Sequence, residues 1–229
     1  MRIVEFIAGF EQHQSLNPYL WEGESLRPDI KSALIKIADD FKNFIEIPFT
    51  VEDVLITGGQ VSYNYTKHSD LDLHLVVDFK KVSCDREAAE LFDSKRHLYK
   101  RKYDIQIKGI PVELYVEDID FPAVSSSYSI ISDEWIKRPI QNAGAVDTAK
   151  IKKIADQWQE LIDLGMASKD VETGRKVLRS LRNFRKNGLK RDGEFGVANL
   201  VYKTLRNTQS LEKLTNFIDT EHSRSLSVY

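Results

Sequence analysis

Apolar and polar positions change period several times along the chain, and each period predicts an element. Ile30, Ala33, Leu34, Ile37, Ala38, Phe41 and Ile45 recur three or four residues apart, the spacing that lines one face of an α-helix. Pro28 opens that run and Asp29 falls in its first turn, so a helix is predicted over 28–45. Val54 to Ile56 is a short apolar run that ends in Gly58-Gly59, and from Asp70 to Leu75 acidic or polar residues alternate with leucines. Alternation of period two is the strand signal. Strands are predicted over 53–57, 70–78, 103–108 and 111–117, the last two joined as a hairpin through Lys108-Gly109-Ile110. Asp85 to Lys102 reads as a second helix with a sparser apolar set, Ala88, Leu91, Phe92, Leu98 and Tyr99.

The pattern lapses from Phe121 to Ala145, a stretch rich in serine that reads as a connector. Beyond it the period is helical throughout. Asp147 is placed to cap a helix whose Ile151, Ile154, Ala155, Trp158, Leu161 and Ile162 form one stripe, with Gly165 as its end. A second helix is expected from Asp170 to Asn187, ended by Gly188, a third over 194–206 and a fourth over 209–222. The reading is α/β (α+β), with a sheet-bearing domain over 1–145 and a helical domain over 146–229.

Composition narrows the class. The 229 residues are 41% hydrophobic and 30% charged, an ordinary globular balance long enough for one large domain or two small ones. A single cysteine, Cys84, excludes an internal disulfide framework and a cysteine-based zinc site, and is read as inert. Glu5 and Glu11 interrupt the apolar N-terminal stretch, and no apolar run approaches the ~20 residues of a membrane span. A cytoplasmic protein is expected. The net charge of −2 conceals an asymmetry: residues 147–229 hold 16 Lys/Arg against 11 Asp/Glu, and the rest of the chain 17 against 24. On the second C-terminal helix Arg175, Arg179, Arg182 and Lys186 fall within about 60° of one another, with Arg185 close by. Such a stripe suits phosphate contacts, and equally a solvated helix face.

The chemistry concentrates between Gly58 and Leu75. Asp70 and Asp72 are two apart on a predicted strand, so their carboxylates project together while Leu71, Leu73 and Leu75 face the core. Paired carboxylates repel and need a counter-charge, for which a hard divalent cation such as Mg²⁺ is suited. Gly58-Gly59, twelve residues before Asp70, offers backbone without Cβ atoms where an anion can approach. His74 shares the aspartate face and is read as a polar neighbour, because Mg²⁺ prefers oxygen to imidazole. Lys67 and His68 suit phosphate contacts or a solvated loop, and Tyr63, Tyr65 and Tyr128 suit base stacking or ordinary loop packing. There is no P-loop and no Gly-x-Ser-x-Gly, which argues against ATPase and hydrolase classes.

Gly-Gly, a spacer, then Ser69-Asp70-Leu71-Asp72 flanked by apolar residues resembles the polymerase-β-like nucleotidyltransferase superfamily, with the spacing of its minimal members. The fuller string Tyr63-Asn64-Tyr65-Thr66 to His74 most resembles uncharacterised nucleotidyltransferases predicted in tailed bacteriophages. The resemblance covers roughly the first two thirds of the chain. It implies a small mixed sheet with flanking helices and a C-terminal helical bundle. It implies an enzyme that moves an NMP from an NTP, ATP foremost, to a hydroxyl acceptor, with Asp70, Asp72 and a third acid holding two Mg²⁺ (or Mn²⁺) ions. Glu113, between Val112 and Leu114, is the expected third acid, and Asp104 competes with it. Gly58, Gly59, Ser69, Lys67 and Tyr65 are the implied nucleotide contacts. An RNA or tRNA acceptor would meet Arg175, Arg179, Arg182 and Lys186; protein and small-molecule acceptors stay open. For a phage-encoded chain the host cytoplasm is the implied compartment. Two departures favour an alternative. Gly59 stands where many members have Ser, and Ser62 where minimal members often have Arg. A catalytically degenerate module that binds nucleotide, RNA or a partner protein, a toxin–antitoxin component included, is that alternative. The Arg/His ribonuclease motif often paired with minimal nucleotidyltransferases has no match in the helical half.

Overall fold

The computed structural model describes residues 13–67, 69–82, 85–120, 125–141, 147–193 and 195–227. His68, Cys84 and the Glu5 and Glu11 positions lie outside the described residues. Contacts divide the chain into two compact units: the described residues up to Gln141 belong to one, and those from Asp147 onward to the other. Among the described residues no helix is long and apolar enough to cross a membrane.

The first unit is a mixed sheet with helices. Strands β1 (Trp21–Glu22) and β2 (Ser25–Leu26) form a small antiparallel ribbon. Helix α1 follows over Pro28–Ile45, with Pro28 in its first turn and Glu46 ending it at a φ of 65°. Its buried stripe Ile30, Leu34, Ala38, Phe41 and Ile45 follows the periodicity read from the sequence. Next come β3 (Asp53–Thr57), β4 (Leu71–Val77), helix α2 (Asp85–Lys102), β5 (Gln106–Ile107) and β6 (Ile110–Asp118). Two further strands, β7 (Ser127–Ser129) and β8 (Glu134–Lys137), complete a sheet of order β5-β6-β4-β3-β7-β8. Only β4 and β6 pair in parallel, with α2 as their crossover, and the other pairs are antiparallel.

Leu71, Leu73, Leu75 and Val77 are almost fully buried, and the residues between them are half-buried. Burial of each such leucine contributes roughly 1.5–3 kcal/mol. That one-sided pattern commits β4 to a single register, because a slip of one residue would turn every leucine outward. Phe41, Phe92 and Tyr99 fill the space between the helices, with the Phe41 and Tyr99 rings 5.0 Å apart.

Three expectations are corrected here. The stretch read as a connector contains β7 and β8: Ser127 and Ser129 are buried, Tyr128 pairs with Ile56, and Trp135 stacks on Trp21 at 4.9 Å. Tyr128 is therefore a core residue whose hydroxyl donates to Asp133 Oδ1 at 2.8 Å, and its ring is withdrawn from base stacking. The strand expected over 103–108 shrinks to β5, which turns into β6 through Lys108 and Gly109, both at positive φ (51° and 78°). That pair of left-handed residues is what a tight two-residue hairpin requires.

The second unit is helical: α3 (Thr148–Ala167), α4 (Val171–Asp192), α5 (Val197–Asn207) and α6 (Ser210–Leu226). Asp147 accepts from Lys150 N at 2.9 Å and Asp170 from Thr173 N at 2.9 Å, so both aspartates cap as their positions suggest. Neither Gly165 nor Gly188 ends its helix. Both are buried within it, and a Cβ on Gly188 would overlap that of Ala198 on α5. On α4, Gly174, Leu181 and Gly188 recur every seven residues as its buried seam. The glycines there let neighbouring helices close in, a tertiary demand that outweighs their low helix propensity. Ile151, Ala155, Ile162, Leu181, Val201, Leu205 and Leu214 form the core of this unit.

Candidate metal centre

The parallel register of β4 and β6 sets Asp72 beside Glu113, with Leu71 beside Val112 and Leu73 beside Leu114. Asp70 immediately precedes β4. Since side chains alternate between faces, Asp72 and His74 share a face with Glu113, Tyr115 and Glu117, opposite the buried leucines. One carboxylate oxygen from each of Asp70, Asp72 and Glu113 lies within 4.8 Å of the other two, and all three residues are half-buried. The three acids singled out in the sequence thus come together. Asp104 does not join them; it is exposed and accepts from Gln106 Nε2 at 3.1 Å.

The glycine pair has a packing explanation. Thr57 is the cross-strand partner of Asp72, and the chain leaves β3 at Gly58 with a φ of 87°. A Cβ on Gly58 would overlap the Asp72 carboxylate, and one on Gly59 would stand 2.8 Å from Ser69 Oγ. Only glycine lets the loop rest on the acidic strand. Gln60 then locks it: its Nε2 donates to Ser69 O at 2.7 Å and its Oε1 accepts from Asn17 Nδ2 at 2.7 Å. Trp21 Nε1 donates to Gln60 O at 3.1 Å. Ser69 is buried, with Oγ accepting from Thr66 N at 3.0 Å. Ser62 is buried as well and donates to Gly59 O at 3.0 Å. Tyr65 stacks on His13 at 3.8 Å, and its burial raises its pKa. Lys67 is exposed on the same loop. Among the implied nucleotide contacts, Ser69 is held within the loop, Tyr65 is half-buried against His13, and Lys67 is exposed.

Glu113 is the electrostatic pivot. Burial works against its charge, but hydrogen bonds from Lys100 Nζ and Tyr115 Oη, with the charges of Lys100 and Arg96, outweigh it and hold its pKa below the usual carboxylate range. Tyr115 donates to Glu113 Oε2 at 2.8 Å, and Arg96 lies over its ring at 4.7 Å. Burial, followed by the charges of Asp72 and Glu113, raises the Tyr115 pKa strongly, so the phenol stays protonated and donating. His74 is occupied on both sides, by Glu117 Oε2 at 2.9 Å and Thr57 Oγ1 at 3.1 Å. It stacks on Tyr115 at 4.8 Å and leaves the cluster an all-oxygen donor set. A cavity of about 310 Å³ opens beside Glu113 between the end of α2 and the β5–β6 hairpin, walled by Tyr99, Tyr103, Ile105 and Val112.

Lys100, Arg96 and Tyr115 were not singled out from the sequence. Arg96 and Lys100, one helical turn apart, were the available signal, but nothing local says which strand that turn faces. Comparison of the chain with protein-family models, curated proteins and solved structures finds no match.

Proposed function

We propose that this site performs metal-dependent nucleotidyl transfer, moving an NMP from an NTP to a hydroxyl acceptor. The observation that carries the reading is the convergence of Asp70, Asp72 and Glu113 oxygens within 4.8 Å. The donor set fits Mg²⁺ or Mn²⁺: three carboxylates, with the neighbouring imidazole engaged elsewhere. A divalent ion held there supplies charge neutralisation for the triphosphate and acidifies the attacking hydroxyl.

The chain's own residues account for the rest. Gly58 lets the loop lie close to Asp72, where a Cβ would overlap the carboxylate. Tyr115 fixes one Glu113 oxygen, and Lys100 approaches the other. The lowered pKa keeps Glu113 ionised, as a metal ligand must be, and its carboxylate is placed to assist in accepting the acceptor's proton. Attack at the α-phosphorus forms the new P–O bond and breaks the bond to the β-phosphate oxygen, which leaves as pyrophosphate.

Incubation with each α-labelled NTP, Mg²⁺, and total RNA or lysate protein tests the reading. Labelling of one polymer by wild type and not by Asp70→Asn/Asp72→Asn supports it. Equal labelling by the double variant ends it. A second reading is favoured by one observation: both Glu113 oxygens already have protein donors. In that reading Lys100 neutralises a retired metal site, and the unit is a non-catalytic binding module. Calorimetry with Mn²⁺ separates the two, because a retired site takes up no ion.

A further inference from the structure

The helical unit carries a feature that the transfer chemistry does not use. Along α4, Arg175, Arg179, Arg182, Lys186 and Lys190 fall on one face, opposite the buried seam of Gly174, Leu181 and Gly188. Over that span the helix rises about 22 Å, one cation per turn. Arg179, Arg182, Lys186 and Lys190 are exposed, and Arg175 is half-buried. Ion pairs among the described residues of this unit engage Lys152, Arg191 and Arg224, and none engages the stripe. Arg185, which the sequence places near the stripe, is used differently: it donates to Asn199 Oδ1 at 3.1 Å and stacks on Tyr202 at 4.5 Å. The same helix thus spends one arginine on packing and leaves a row of cations facing water.

We infer that this face of α4 docks RNA through its phosphate backbone. A row of cations at one-turn intervals is complementary to regularly spaced phosphates, and guanidinium forks bind phosphate oxygens in pairs. A membrane-surface helix would carry apolar side chains at the margin of its basic face. Here Lys176 and Asn183 flank the row on one side; on the other, Leu178 packs against the core and Leu189 is half-buried. In a duplex major groove Arg and Lys read guanine, and Asn or Gln reads adenine. Between Arg175 and Lys190 the row itself contains only Arg and Lys, so what it offers along its whole length is contact with phosphates. A DNA strand of the same length is therefore the competing ligand in the test. The inference does not depend on nucleotidyl transfer, since it concerns binding alone.

Fluorescence anisotropy of a labelled single-stranded RNA, read over a series of salt concentrations without Mg²⁺ or NTP, tests it. The full chain is compared with Arg179→Gln/Arg182→Gln/Lys186→Gln. A control, Lys153→Gln/Arg206→Gln/Lys213→Gln, removes the same charge from exposed positions on α3, α5 and α6. The stripe variant should bind more than about tenfold more weakly at low salt, with the log–log salt slope reduced by roughly 2 to 3, and the control should stay near wild type. Three results overturn the inference: no RNA binding at low salt, equal weakening in both variants, or tighter binding of a DNA strand of the same length. Circular dichroism of each variant guards against a folding artefact. Loss of RNA binding with transfer to another acceptor intact, or the reverse, separates this inference from the proposed reaction.

Discussion

Asp70, Asp72 and Glu113 crowd together half-buried on a sheet, whereas Arg179, Arg182 and Lys186 stand apart in water on a helix. Both groups are runs of like charge, yet the protein treats them differently. Glu113 is surrounded by compensation: Lys100 and Tyr115 bond to it, and Arg96 lies above Tyr115. The cations have none among the described carboxylates. The difference follows from solvent. Partial burial lowers the local dielectric, so like charges there need partners in place, whereas exposed charges a helical turn apart are screened by water and salt. The half-buried acids thus depend on fixed partners, and the exposed cations depend on solvent alone.

The largest test of this contrast is on activity. Asp70→Asn/Asp72→Asn should reduce nucleotide transfer by about a thousandfold or more, because charge neutralisation of the phosphates is lost. The same variant should melt no lower than wild type in metal-free buffer, since two mutually repelling charges are gone. A lower melting temperature would mean that the aspartates hold the fold and would break the contrast.

Next come the glycines. Gly58→Ala combines a positive φ with overlap on the Asp72 carboxylate, and should cost roughly 1–3 kcal/mol in denaturant unfolding. In the helical unit Gly188→Ala sets a Cβ against the Ala198 Cβ, which no rotamer change can move, and regains helix propensity of about 1 kcal/mol. It should also destabilise, because α4 and α5 must separate to admit it. No loss of stability in Gly188→Ala would mean that the two helices are not closely packed there.

Removal of a compensating charge should matter in the sheet unit only. Lys100→Met leaves Glu113 short of a partner and should cost about 1 kcal/mol near neutral pH, discounted for the exposure of Lys100. Lys186→Met should change stability by less than about 0.5 kcal/mol. The sign with pH is fixed by the depressed Glu113 pKa. Its contribution is present above the ordinary carboxylate range and is lost as pH falls through the lowered pKa, so the Lys100→Met deficit should fade in acid. A deficit that persists in acid would assign the effect of Lys100 to packing.

The smallest expected effect is at a helix end. Hydrogen bonds from Thr173 lower the Asp170 pKa, against a weaker contrary effect of burial. Asp170→Ala should lower the melting temperature slightly at neutral pH. The difference should shrink as pH falls through the lowered Asp170 pKa. Equal melting of wild type and variant at neutral pH would remove the cap from the account of α4.

Much of this was legible in residue order because it is local or periodic. Helix α1 and strand β3 coincide with the expected 28–45 and 53–57, since an amphipathic stripe and a short apolar run bounded by turns each have one economical conformation. Asp70 and Asp72 were recognisable as a pair from alternation and from the Gly58-Gly59 spacing, and Glu113 as their candidate partner from the family resemblance those residues carry. Tertiary structure alone decided the rest. That Glu113 and not Asp104 meets the aspartates follows from the register of β6 on β4, a pairing across forty-one residues that no window along the chain contains. Strands β7 and β8 escaped notice because three or four residues carry no periodicity, and the buried serines of β7 look like loop until a neighbouring strand covers them. Gly165 and Gly188 look like helix ends by local propensity, yet their helices run through them: Gly188 packs where a Cβ would overlap that of Ala198, and Gly165 where one would be tight against Val177. Lys100 and Arg96 acquire their roles only when α2 brings its last turns to the edge of Glu113 and Tyr115, where a half-buried carboxylate makes their charge count.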